Sequence, residues 1–168
     1  SVVTQGGSSK TYNYLYNALE QRVRKTGAAG FAAYVYDDAG QKWGLEPAII
    51  RAVFAVESAG RPFRADGTVE RRYEPHHMPG SGITNWRDSL KLQLADREAR
   101  FGEAYRRAPE AAMDATSWGG PQIMGFNAED AGYSSARAMV EAMAADEQAH
   151  LDAFMALVHA TEVRALLG

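Results

Sequence analysis

Residues 45–60 constrain the fold of this 168-residue chain more than any other stretch. Pro47 stands where a first helical turn tolerates proline, and Leu45, Ile49, Ile50, Val53, Phe54 and Val56 recur at helical spacing over a broad apolar face. Gly60 followed by Pro62 is a stop signal. A helix this apolar is not a surface helix, so the chain has to wrap a core around it. Its last turn carries one carboxylate, Glu57. Burial and the partial negative charge of a helix C-terminus both disfavour an ionised carboxylate, and a general acid must keep its proton near neutral pH. The alternative is a helix-end glutamate turned to solvent.

The length suits one well-buried domain. Hydrophobic content of 46% with 23% charged residues is globular composition, and the net charge of −3 argues against a chain built to grip nucleic acid. With no cysteine there is no disulfide, thiolate metal site or cysteine nucleophile. No apolar run approaches the roughly 20 residues of a membrane span. Residues 1–10 are small and polar, and they predict a flexible segment with no visible export signal: a processed end, an appended remnant or the end of a linker.

From 11 to 168 the sequence predicts one mostly helical α+β domain. Tyr12, Leu15, Tyr16, Leu19 and Val23 form a helical stripe after a Ser8 or Ser9 cap, and residues 31–43 predict a second helix. After the Glu57 helix, the Asp66-Gly67 turn between two short extended segments over 63–74 predicts a small hairpin. Residues 85–108 and 109–115 have helical composition. Gly119-Gly120-Pro121 breaks any helix over 116–125, Asn127 opens a short helix, and 134–144 and 145–160 predict two more. Leu151, Phe154, Met155 and Val158 make the buried stripe of the last.

Glycosidic cleavage normally needs two carboxyl groups, one protonated and one ionised. Glu57 supplies the first; Asp66, Glu70 and Glu74 are candidates for the second, with Glu74 ranked above Glu70 because it borders the loop at Pro75-His76-His77. Asp66 has a competing local role, since aspartate is common at turns. Trp118, Gln122 and Asn127 in the glycine-rich stretch offer a flat apolar face and paired amide donors and acceptors, which suits sugar recognition; the alternative is a helix-to-helix corner with a core tryptophan. Metal chemistry is the rival class. Adjacent His76 and His77 suit one ion poorly, and Glu147-x-x-His150 occurs once where bundle di-metal sites need it twice. No metal or cofactor is therefore expected.

Three segments resemble the phage-type N-acetylmuramidase domain of endolysins and phage-related wall hydrolases. Ile50-Arg51-Ala52-Val53-Phe54-Ala55-Val56-Glu57-Ser58 is similar to the family's "IRAVxxVES" helix, Asp66-Gly67 with Tyr73-Glu74-x-His76 to "DG…FERH", and Ser117-Trp118-Gly119-x-x-Gln122-Ile123-Met124-Gly125-Phe126-Asn127 to "SWGxxQIMGFN". The match covers residues 44–160 and departs from the family at Arg71-Arg72, Pro75 and Gly120-Pro121. The resemblance implies a lysozyme-like domain with a hairpin after the catalytic-glutamate helix. It implies cleavage of the β-1,4 bond between N-acetylmuramic acid and N-acetylglucosamine in peptidoglycan strands. Glu57 would act as general acid and Glu74 as the second carboxylate, with Asp66, Tyr73, His76, Trp118, Gln122 and Asn127 lining the sugar cleft. It places the activity at the bacterial cell wall, in the periplasm or outside the cell, for a chain made in the cytoplasm or carried on a phage-like particle. A lytic transglycosylase and a non-catalytic glycan-binding virion module are the alternatives.

Overall fold

Helix α1, Pro47–Ser58, opens the continuously described part of the computed structural model, which runs to residue 167 with side chains from 48 to 161; before it, backbone is described for residues 2–5, 8–11, 13–16 and 22–26. The helix buries Ile50 and Phe54 completely, while Ile49 and Val56 are exposed. The broad buried face expected from sequence is thus one i, i+4 row. The chain then reverses through two left-handed residues, Ala59 (φ 52°) and Gly60 (φ 68°), and the Gly60 N–H donates back to the Phe54 carbonyl at 2.9 Å.

The Asp66-Gly67 turn forms where the sequence places it, with the Gly67 N–H donating to the Arg64 carbonyl at 3.0 Å. Its arms meet through the Phe63–Val69 bridge. Strand β5 (Arg71–Tyr73) pairs instead with β6 (Thr116–Trp118), and β6 with β7 (Ile123–Met124), giving a three-stranded antiparallel sheet. The expected small hairpin thus forms around the Asp66-Gly67 turn, closed by the Arg64 N–H to the Thr68 carbonyl and the Glu70 N–H to the Pro62 carbonyl, both at 2.8 Å. It feeds a strand whose partner lies 45 residues on, at Ser117 opposite Arg72.

The helix expected over 85–108 is two. Asn85 caps α2 (Trp86–Leu90) by accepting from the Asp88 N–H at 3.0 Å. Lys91 and Leu92 then close tighter i→i−3 bonds to Asp88 and Ser89, and Gln93 is extended before α3 (Leu94–Arg107). Pro109 opens α4 (Pro109–Asp114), as expected. The short helix expected at Asn127 is a 3-10 turn, Gly125–Asn127. Ser135 caps α5 (Ala136–Ala145) through the Ala138 N–H at 3.1 Å, and α6 (Gln148–Leu167) ends the described chain.

The core gathers between the sheet and these helices. Phe101 takes edge contacts from Tyr73 (5.9 Å) and Trp118 (6.0 Å), beside Met113, Ile123, Met139 and Met143. The Phe54 ring meets Phe154 of α6 edge-on at 6.3 Å, tying α1 to the last helix. Near the start, strands β1 (Val2–Gln5) and β2 (Ser8–Thr11) pair within and beyond the segment read as flexible. Strands β3 (Asn13–Tyr16) and β4 (Arg22–Thr26) pair where the Tyr12–Val23 stripe predicts a helix. That stripe mixes tyrosine and valine, which serve either periodicity, and the strand pairing prevails. The helix expected over 31–43 lies outside the described residues.

Candidate active site

An open cleft of about 510 Å³ lies against the C-terminal end of α1. Val56, Glu57 and Ala59 form one wall, Glu70 to Arg72 the floor, Leu90, Leu92 and Leu94 the facing rim, and Gln122 one corner. Glu57 is there because α1 stops one residue later. It is exposed, so the burial inferred from sequence is corrected: the carboxyl stands at the mouth of the cleft beside Val56, itself 82% exposed. Among the described residues only Ala59 and Gln122 (φ 53°) hold left-handed backbone without being glycine, and both line this cleft. Strain of this kind, about 1–2 kcal/mol per residue, concentrates where geometry serves function.

The floor is held by shared carboxylates. Glu98 accepts from Arg64 at 2.9 Å and from Arg71 at 2.6 Å, and Arg71 also lies over the Phe101 ring. Burial pushes the Glu98 carboxyl up, but the two arginine hydrogen bonds outweigh it and hold it below the usual range. Glu74 is shared in the same way. Its oxygens take Arg72 Nε at 2.9 Å, Arg97 at 3.3 Å and the Ser89 hydroxyl at 2.8 Å, with His76 Nδ1 at 3.6 Å. Burial, then the neighbouring His77, keeps His76 below its ordinary value and thus neutral near pH 7. Arg97, buried, also donates to the Tyr73 and Ser89 carbonyls. Glu74 is therefore a clamp joining β5 to the α2–α3 corner, and it does not line the cleft. Glu70 does: it is half-buried, one oxygen accepts from the Arg71 N–H at 3.3 Å, and its own carbonyl accepts from the Gly119 N–H at 2.7 Å.

That last bond reaches the tip joining β6 to β7. Gln122 is pinned at both ends of its side chain, Nε2 donating to the Gly119 carbonyl (2.7 Å) and Oε1 accepting from the Ser117 hydroxyl (2.8 Å). The tip is seated on α6. His150, fully buried, accepts the Gly120 N–H at Nδ1 (3.1 Å), which makes Nε2 the protonated nitrogen donating to the Met143 carbonyl (3.0 Å). Burial pushes the imidazole down to about 4. A Cβ on Gly119 would collide with this ring, and one on Gly120 with the Phe54 ring, so both glycines are there for close approach.

The structure thus brings Glu57, Glu70 and Gln122 together, and separates the other candidates from them. Asp66 is an exposed turn residue accepting from the Thr68 N–H and hydroxyl at 3.0 and 2.7 Å. Tyr73 and Trp118 are core residues, 2% and 5% exposed, and the Trp118 indole donates to the Met113 carbonyl at 3.0 Å rather than facing a sugar. His76 belongs to the Glu74 clamp, and Asn127 sits in the 3-10 turn beyond β7. Sequence reasoning missed His150 as the seat of the tip; its spacing to Glu147 suggested only a metal pattern. It also missed the leucine rim, whose sole sequence signal is three leucines in a charged stretch.

A mostly helical α+β domain with a small antiparallel sheet beside a glutamate-bearing helix end is a lysozyme-like fold. The chain belongs to the muramidase (N-acetylmuramidase) family, whose profile matches residues 46–167. It is similar to the crystal structure of the Burkholderia AP3 phage endolysin, with 31% identity and a TM-score of 0.63 over 81% of this chain and 56% of that one. The chain thus spans little more than half the length of that endolysin. No curated protein sequence matches it significantly.

Proposed function

We propose that this chain is a peptidoglycan hydrolase of the bacterial cell wall that cleaves the β-1,4 bond between N-acetylmuramic acid and N-acetylglucosamine. Supporting this is the pairing of Glu57 with Glu70 in one open cleft whose two strained residues, Ala59 and Gln122, flank them. Glu57 is the general acid. A glycan lying on Val56 and Leu90 excludes water from its carboxyl and favours the protonated form, so the substrate supplies the burial that the free chain lacks. Glu70 is the second carboxylate, which steadies the oxocarbenium-like transition state or activates water. Glu74, ranked first from sequence, is committed to two arginines and a serine, and its role is to hold the floor. Gln122 keeps one amide hydrogen and one lone-pair direction for a sugar hydroxyl or acetamido group.

Arg71 also engages Glu70 through its backbone, which leaves a single-carboxylate lytic transglycosylase as the second reading. Mass spectrometry of soluble products from purified peptidoglycan decides among the readings. Reducing-end muramic acid, lost by at least about a hundredfold in Glu57→Gln and strongly reduced in Glu70→Gln, is the expected result. Anhydro-muramic ends indicate the transglycosylase, and the absence of any product refutes an enzymatic role.

A further inference from the structure

Five guanidinium groups, Arg61, Arg64, Arg71, Arg72 and Arg97, stand in or directly behind the cleft, against the four carboxylates of Glu57, Glu70, Glu74 and Glu98. With Asp66, which acts on Arg64 and Arg71, counted as well, and with Glu57 neutral under a bound glycan, the surplus is one positive charge in a chain whose net charge is −3. Three of the five are consumed by structure. Arg64 and Arg71 share Glu98, and Arg97 is buried with the Tyr73 and Ser89 carbonyls. Two are not. Arg72 spends its Nε on Glu74, but it lines the cleft, its side chain is 46% exposed, and its two terminal nitrogens are not used in that pair. Arg61 is exposed, lines the cleft, and makes no ion pair among the described residues.

A neutral sugar offers these guanidinium groups hydrogen-bond acceptors but no counter-charge. The glycan strand of peptidoglycan is neutral except at muramic acid, whose lactyl group ends in a carboxylate or, when substituted, in a stem peptide that carries carboxylates of its own. Arginine presents a planar fork that matches a carboxylate with two parallel hydrogen bonds, and a concave, partly desolvated wall strengthens such a pair. We propose that Arg61 and Arg72 form a carboxylate subsite that holds an acidic group of the muramic unit and so sets the strand's register against Glu57. The inference rests on the muramidase reading and deepens it. Arg61 is the specificity-determining member, since among the described residues it has no ion-pair partner.

The test measures binding of end-labelled, uncross-linked glycan strands to the Glu57→Gln chain, with and without Arg61→Gln. Four probes are used: strands bearing stem peptides, strands stripped by an amidase so that lactyl carboxylates are free, and each of these after conversion of carboxyls to methylamides. Arg61→Gln is expected to weaken binding of the acidic strands about tenfold, and the difference is expected to vanish on the methylamides. Rising salt should weaken the acidic strands more in the parent than in Arg61→Gln. Tighter binding of stripped strands assigns the lactyl carboxylate, and tighter binding of peptide-bearing strands assigns the stem. An Arg61→Gln effect equal on acidic and methylamide strands, or no effect at all, overturns the subsite. Because binding is read without turnover, that result stands apart from failure of the hydrolase reading, which shows as absence of product from the unmodified chain.

Discussion

Acidification should loosen the seat beneath the β6–β7 tip, and the amount follows from His150. Its Nδ1 faces the Gly120 N–H, so a proton there would set two donors against each other inside a fully buried site. Burial holds the folded imidazole at about 4 against 6.5 in the open chain, with the Met143 carbonyl pulling weakly the other way. Because the folded value is the lower one, the unfolded chain takes up the proton first. The stability linked to this group is complete above pH 6.5 and is lost as pH falls from 6.5 toward 4. A shift of that size corresponds to about 3 kcal/mol, a large part of a domain's stability. Urea unfolding of the wild type and of His150→Gln between pH 7 and pH 4 measures it. Glutamine offers an acceptor to Gly120 and a donor to Met143 but does not titrate. It should cost about 1–2 kcal/mol at pH 7 through lost ring contacts, including the edge contact to Phe63, and should lose about 3 kcal/mol less than the wild type on acidification. Carboxylates that titrate in the same range cancel in the comparison. Parallel decline of the two proteins would refute the argument.

Three further outcomes are expected. Ala59→Gly relieves a left-handed alanine worth about 1–2 kcal/mol but adds about 0.4–1 kcal/mol of unfolded-state freedom, so a net gain near 0.5 kcal/mol should appear as a slightly higher Tm. Gly120→Ala drives a methyl into the Phe54 ring and should lower stability by about 1–3 kcal/mol while also cutting hydrolysis, checked by thermal melts and turnover together. Glu74→Gln leaves the buried Arg97 and the Arg72 guanidinium without their shared anion; it should cost about 2–3 kcal/mol in denaturant titration yet spare kcat far more than Glu70→Gln does.

What the sequence disclosed follows the range of the interactions concerned. The helix carrying Glu57, the proline-opened α4, and the Ser135-capped α5 are written in neighbouring residues, and all three form close to the expected bounds. The sheet is not local: Arg72 meets Ser117 across the chain, so the stretch 63–74 shows a turn but not the strand's partner. The same limit governs the site. Glu70 and Glu74 lie on one side of the chain in sequence terms, and only the arrival of Arg97 and Ser89 from the α2–α3 corner removes Glu74 from the cleft. Trp118 is suited equally to a sugar face and to a core, and the Met113 carbonyl that captures its indole decides the matter. His150 lies 30 residues from Gly120, the backbone it supports.

The Phe54 ring stands between the tip at Gly120 and the edge of Phe154, one turn back from Glu57 on the same helix. It works as a spacer, with Glu57 on one jaw and Gln122 on the other. The volume of this one side chain therefore sets how closely the tip at Gly120 approaches the helix that carries Glu57.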